Sequence, residues 1–209
     1  MTLSGAVMPC LNSSFCFEMC DGGCMPKRYR TICVDPPWPS PFGKLGVTHR
    51  ANPCAHYPTV NLDWIRALPV EAMSEARAHL YLWVLNSNVP DGWAVARAWG
   101  FRPLTMVTWC KTQPGVGKWF RTNTEHVLFC TKGKPLPRAE VPIATWFRWP
   151  RGRHSEKPGA FYDLVGRVSP GPYLELFART QRLGWDSWGN EALNHVSLSL
   201  ALPDAPRSP

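Results

Sequence analysis

The strongest constraint on this chain is a double proline at the end of an apolar run. Tyr29 to Val34 is a short β-prone stretch, and Asp35-Pro36-Pro37-Trp38 follows it directly. A proline lacks the amide hydrogen and has a fixed φ, so two in succession forbid continuation as strand or helix. The run is therefore predicted to be a strand that stops at Asp35, which puts a carboxylate and an immobilised backbone at a strand's carboxyl end. Residues 39 to 60 are rich in Pro, Gly and polar residues. They are too long for a simple connector, which predicts a substrate-facing loop.

Helical and extended patterns then alternate. Asn61 to Leu68 reads as a short helix, followed by a second from Val70 to Ala76. His79 to Val84 (HLYLWV) is almost continuously apolar, as expected of a buried parallel strand. Pro90 to Trp99 carries Trp93, Val95, Ala96 and Trp99 at helical spacing and is closed by Gly100. Phe101 to Cys110 and Glu125 to Thr131 read as strands around a glycine-rich segment, Gln113 to Lys118. Pro158 to Val168 reads as a helix opened by proline, and Tyr173 to Ala178 as another buried strand. This alternation implies an α/β sheet with helices on both faces, an architecture whose ligands bind beyond the carboxyl ends of the strands.

The chain's 209 residues, 44% of them hydrophobic, suffice for one sizeable core and are too few for two full domains. No stretch has the apolar length of a membrane span, and the N-terminus lacks a signal-peptide layout, so a cytoplasmic protein with no membrane partner is expected. The net charge of +8 is concentrated, because Arg102 to Arg153 holds ten Lys and Arg against only Glu125 and Glu140. Such a field favours a polyanion, although a solvated basic face is the plainer reading of charge alone. In a chain of this length with a large core and no secretion signal, the eight cysteines read as reduced thiols. Cys10, Cys16, Cys20 and Cys24 have gaps wider than paired zinc knuckles, and no metal site is expected.

Asp35-Pro36-Pro37-Trp38 suits attack by an aromatic amine, a poor nucleophile because its lone pair is delocalised into the ring. A carboxylate at Asp35 and the carbonyl of Pro36 can each accept one amine hydrogen, which localises the lone pair and aims it. Pro37 helps fix that carbonyl, and Trp38 offers a face on which a base can stack. As a bare tetrapeptide, the same residues can also be read as a proline turn.

In order along the chain come Arg30-Thr-Ile-Cys-Val-Asp-Pro-Pro-Trp38, His56-Tyr-Pro-Thr59, His79-Leu-Tyr-Leu-Trp-Val84, Thr108-Trp-Cys-Lys111, Thr124-Glu-His-Val-Leu128, Ser155-Glu-Lys-Pro158, Ser169-Pro-Gly-Pro-Tyr-Leu-Glu-Leu-Phe-Ala-Arg179 and Gly184-Trp-Asp-Ser-Trp-Gly-Asn190. From about Tyr29 to Leu193 this set resembles the MT-A70 family of adenine-N(6) methyltransferases, and most closely its short prokaryotic and phage members. The resemblance implies a permuted Rossmann-like methyltransferase sheet, with the catalytic strip before the cofactor-binding strand, and use of S-adenosylmethionine. It implies cofactor contacts from Asp35, Lys157 (to the methionine carboxylate), Glu175, Arg179, Gln181, Asn190 and Glu191. It also implies a target-facing surface that includes Tyr57, Lys111, Lys118, Trp119, Arg121, Glu125 and His126, with Arg151 and Arg153 in a second basic cluster. Trp119 and Phe120 are equally readable as core, and His126 as a structural hydrogen-bonding histidine. Where eukaryotic catalytic members carry a His-Asn pair after the arginine, this chain has Thr180-Gln181-Arg182, and Gln181 is the candidate to replace part of that contact.

The domain reading is a cysteine-containing, disordered extension over 1–26, a methyltransferase domain over 27–195 and a flexible tail over 196–209. The expected partner is DNA, with RNA as the alternative, and the expected state is a monomer or homodimer. A catalytically silent nucleic-acid-binding paralogue is the second class of function, opposed by the intact Asp35 strip. A dinucleotide-dependent dehydrogenase is excluded because no G-x-G-x-x-G follows any strand.

Overall fold

The double proline ends the first strand as expected. The computed structural model describes residues 27–39, 61–113, 115, 119–134, 136, 142–150, 152, 156–189, 192–196 and 198. The extension over 1–26 with its four cysteines, the 39–60 loop beyond Pro39, and residues 199–209 lie outside them. β1 (Tyr29–Val34) carries Ile32, Cys33 and Val34 into the interior. α1 (Leu62–Arg66) is capped by Asn61, whose side chain accepts from the Trp64 amide at 2.7 Å.

α2 (Val70–Met73) is shorter than the helix expected to Ala76. From Ser74 the chain is already extended as β2 (Ser74–Val84), because Ser74 pairs with Tyr29 and Ala78 with Lys132. Ladder pairing outweighs the helical propensity of Glu75-Ala76-Arg77. α3 (Val89–Ala98) has Pro90 in its first turn, and the chain leaves it through Gly100 at φ 77°. β3 (Arg102–Lys111), β4 (Thr124–Lys132), α4 (Gly159–Val168) and β6 (Tyr173–Leu176) fall where the pattern put them. β5 (Trp146–Trp149) and β7 (Trp185–Trp188) are strands that the sequence reading lacked, each of four residues and too short for a period-two signal.

The seven strands form one sheet in the order β5-β3-β4-β2-β1-β6-β7. β1 pairs in parallel with β2 and β6, whereas β4 runs antiparallel to both β2 and β3, so the sheet is mixed. The expectation of a parallel strand at His79–Val84 holds on its β1 side only. One face packs Ile32, Val34, Leu80 and Leu82 against Ile65 of α1, Val70 of α2 and Val95 and Ala96 of α3. α3 comes so near that a Cβ on Gly92 would lie 2.5 Å from Val84 Cγ1. The opposite face packs Cys33, Tyr81 and Trp83 against Phe161, Tyr162 and Val165 of α4.

β1 is the centre from which the connections diverge, to β2 on one side and, later in the chain, to β6 on the other. In doubly wound sheets, the carboxyl ends of the strands at such a reversal are where ligands bind. Asp35 sits at that point.

α4 is tied to β2 at its far end, where His79 Nδ1 and the Tyr81 hydroxyl each lie 2.7 Å from Ser169 Oγ. Burial pushes the His79 imidazole down to about 4. Its folded value is below its unfolded one, so its contribution to stability falls as pH drops from 6.5 towards 4. We expect the native chain to lose about 2 kcal/mol more between pH 7 and pH 5 than His79→Gln does, read by denaturant unfolding. Equal losses would place the titration elsewhere.

Candidate active site

The strip after β1 is held from several directions. The Asp35 amide donates to the Leu176 carbonyl at 3.4 Å, continuing the β1–β6 ladder by one rung. The Trp38 amide donates to the Pro36 carbonyl at 2.8 Å, closing a three-residue turn around Pro37. That carbonyl keeps a second lone pair, and its direction is set by the turn. Asn88 Nδ2 donates to the Pro39 carbonyl at 3.3 Å, tying the end of the strip to the start of α3.

Trp38 differs from its expected role. It is 6% exposed, its indole Nε1 donates to the Trp83 carbonyl at 2.7 Å, and it belongs to the core cluster with Val34 and Val84. Its placement is that of an anchor for the strip and not of an open face for a base. The reason is local: the indole is large and apolar and its one N–H finds a partner in the Trp83 carbonyl, so it buries.

Lys157, on the coil just before α4, carries the electrostatics of the site. Its Nζ lies 2.8 Å from Asp35 Oδ2, 3.3 Å from Glu125 Oε2 and 4.9 Å from the centre of the Trp83 ring. Glu125 in turn pairs with Lys111. A row of alternating charges, Lys111, Glu125, Lys157 and Asp35, thus crosses the carboxyl edge of the sheet from β3 to β1. Burial opposes the charged form of Lys157, yet Asp35 and Glu125 together hold its ammonium above the ordinary lysine value. Burial likewise opposes charge on Glu125, and Lys157 and Lys111 overcome it, leaving the carboxyl below its usual range. Lys111 and Glu125, expected on the target-facing surface, are therefore largely enclosed, with side chains 14% and 16% exposed.

Beside Asp35 lies a small pocket lined by Glu156, Lys157, Tyr162, Glu175, Phe177, Arg179, Thr180 and Arg182. The structure thus brings Asp35, Lys157, Glu175 and Arg179 together. Gln181 faces a neighbouring cleft with Lys27, Trp185, Asp186 and His195. Asn190, Glu191, Tyr57, Lys118, Arg151 and Arg153 lie outside the described residues. Glu175 is 8% exposed and accepts from the Tyr162 hydroxyl at 2.5 Å. Burial pushes its carboxyl up, offset in part by Tyr162 and Arg182. Tyr162 and Arg182 were missed from sequence, since the first reads as the apolar stripe of α4 and the second as a surface cation.

At the same edge, the β3–β4 loop presents Trp119 at 87% and Phe120 at 90% exposure beside an exposed Arg121, so the core alternative for both aromatics falls. His126 has both ring nitrogens engaged, Nδ1 at 3.0 Å from Thr108 Oγ1 and Nε2 at 2.8 Å from Asn86 Oδ1. Burial lowers its pKa against the pull of Glu125, which fits the structural reading. Among the described residues no group of His, Cys, Asp and Glu could hold a metal ion, and no helix is long and apolar enough to cross a membrane.

An α/β sheet of this topology, with a carboxylate-proline strip at its switch point, defines a Rossmann-like methyltransferase fold. The profile of the MT-A70 family matches residues 29–191, and the chain belongs to that family. It is 30% identical over 182 residues to the type II methyltransferase M.MunI of Mycoplasma sp., covering 79% of this chain and 78% of that protein. It is also 30% identical to a probable N(6)-adenosine-methyltransferase MT-A70-like protein of rice (Oryza sativa subsp. japonica), over 82% of this chain and 24% of that one. With the human N(6)-adenine-specific methyltransferase METTL4 it shares 28% identity, over 84% of this chain and 40% of the relative. The chain therefore spans most of the Mycoplasma protein and well under half of the two eukaryotic ones.

Removing one partner from a buried ion-pair network leaves charge uncompensated. We expect Glu125→Gln to cost about 3 kcal/mol in denaturant unfolding near neutral pH, because two enclosed lysines lose their common carboxylate. Glu125 is held below its ordinary value, so this contribution is present above roughly pH 4.5 and lost as pH falls through the folded value. A change under about 0.5 kcal/mol would remove the network from the stability of the fold.

Proposed function

We propose that the chain transfers a methyl group from S-adenosylmethionine to the exocyclic N(6) amine of adenine in DNA. The observation that carries this reading is the position of Asp35. Its side chain is 24% exposed at the switch-point crevice, beside the turn-fixed carbonyl of Pro36 and against the Lys157 ammonium. Asp35 and Pro36 offer two oxygen acceptors for the two hydrogens of an aromatic amine, which localises its lone pair. Lys157 fixes the carboxylate that does this work. After transfer, the amine's extra proton passes to water at the open side of the crevice.

The residues present fit the cofactor. Asp35 and Glu175 accept hydrogen bonds, Lys157 offers a cation to a carboxylate, and Glu175 Oε2 is buried with no hydrogen-bond partner. Bound S-adenosylmethionine supplies a methyl group activated by its sulfonium. Arg179, on the pocket wall, is the candidate for the adenosine end, as the family likeness implies.

DNA is favoured by likeness to M.MunI over most of both chains. RNA is the second reading, favoured by the N(6)-adenosine-methyltransferase relatives such as that of rice. For either, Trp119 and Phe120 offer flat faces to unpaired bases and Arg121 a phosphate contact, so a duplex target adenine would leave the stack to react.

The test is incubation with labelled S-adenosylmethionine and adenine-containing double-stranded DNA, single-stranded DNA or RNA, with the product nucleoside identified by mass spectrometry. N(6)-methyladenine in DNA is expected. Methylation of RNA alone would move the assignment to the second reading, and no transfer to any of the three would sink both.

Asp35→Ala should lower methyl transfer by at least about 100-fold while the far-ultraviolet circular dichroism stays native. Near-normal turnover in this variant would dismiss the acceptor role. Lys157→Ala should weaken cofactor binding by about ten-fold or more in calorimetry, and unchanged affinity would take Lys157 out of the cofactor site.

A further inference from the structure

The pocket that has the right residues lacks the space. Its free volume is about 20 Å³. That holds roughly one water molecule, whereas pockets for drug-sized ligands run from about 300 Å³ upward. One wall is Arg182, whose guanidinium carbon stacks 3.5 Å from the centre of the Tyr162 ring. Its Nε lies 3.5 Å from Glu175 Oε2, close enough to pair but not aligned as a hydrogen bond, and both atoms are buried with no hydrogen-bond partner. Arg182 also lines a cleft of about 580 Å³, together with Leu183, Asp186 and His195 among others. Arg182 is the residue common to the two linings.

An arginine placed for permanence uses its fork, with two aligned hydrogen bonds to one carboxylate. Arg182 does not, and a buried polar atom left unpaired is unfavourable. The contact is therefore loose where the rest of the site is tight, and the cleft beyond it holds a second carboxylate, Asp186. Glu175 cannot be abandoned while buried, so Arg182 can leave only as another donor arrives.

We propose that Arg182 is a displaceable plug in the cofactor pocket: without ligand it closes the space between Asp35 and Glu175, and cofactor binding moves it towards the Asp186 cleft. Its departure frees the Tyr162 ring face and the Glu175 carboxylate for hydrogen-bond donors of the cofactor and joins the two cavities. The inference rests on the reading of this pocket as the cofactor site. Opening and binding are then one coupled equilibrium, in which the closed arrangement lowers apparent affinity by the fraction of chains that are open.

A plug and a direct contact have opposite signatures. We would titrate S-adenosylmethionine by calorimetry into the native chain, Arg182→Ala and Arg182→Met, and record ligand-free melting of all three. Methionine keeps an apolar stem over Tyr162, so at least one variant retains the packing there. The expected result is tighter cofactor binding in both variants, by about ten-fold if the open arrangement is populated roughly one part in ten. Ligand-free melting should be lower at the same time, because the buried Glu175 loses its ion pair with Arg182. Binding seen only in the variants also supports the plug. Equal or weaker binding in folded variants overturns the plug and leaves the cofactor reading standing. Failure of all three proteins to bind overturns the cofactor reading and the plug with it.

Discussion

A single ammonium group decides how this site is built. Lys157 is almost enclosed, with its side chain 11% exposed, on the coil that leads into α4. Enclosing a cation is unfavourable by several kcal/mol unless charge and polarisable surface compensate it. Here compensation comes from three separate elements: Asp35 after β1, Glu125 at the start of β4 and the Trp83 ring at the end of β2. None of these can drift without weakening the others' hold on the ammonium. The Asp35 carboxylate is thereby positioned by the same contacts that hold the start of α4 against the sheet.

The alternating row also settles where the chain's positive field acts. Lys111 and Lys157 are matched by Glu125 and Asp35, and Arg182 by Glu175, so the interior of the site carries little net charge. On the proposed function, attraction for phosphates falls to cations outside this row, such as Arg121 on the β3–β4 loop beside the exposed Trp119 and Phe120. Long-range steering thus belongs to the rim and geometry to the floor, a division that lets salt alter encounter without altering the arrangement of acceptors.

What was legible in the sequence follows from what leaves a local signature. The proline pair marks the end of β1 because it acts on its own backbone, and the apolar run His79–Val84 marks β2 because both faces are covered. β5 and β7 leave almost nothing, since four residues at the sheet's edges are strands only by virtue of their neighbours. The site divides in the same way. Asp35 was visible through its prolines, and Lys157, Glu175 and Arg179 through a family likeness. Tyr162 and Arg182 were not, because their significance is a distance of 3.5 Å between a helix and a loop that no spacing encodes. Glu125 and Trp38 were noticed but misplaced. An acidic residue next to basic ones looks like surface, and a tryptophan beside a catalytic strip looks like a platform, until tertiary packing draws both inward.

The two sides of the pocket consequently differ in stiffness. On the strip side, Trp38 is bonded to Trp83, Asn88 to Pro39 and the Trp38 amide to the carbonyl of Pro36, all at 3.3 Å or less. On the side formed by residues 177 to 184, the contacts around Arg182 are longer and leave buried atoms unpaired. A reaction that depends on aiming a weak lone pair gains from acceptors that need no reorganisation. Uptake of a large, polar cofactor into a nearly filled cavity gains from the opposite property. On the proposed function and the proposed plug, firm contacts at Asp35 and a displaceable one at Arg182 are complementary, and Glu175 and Lys157 share the pocket lining with both.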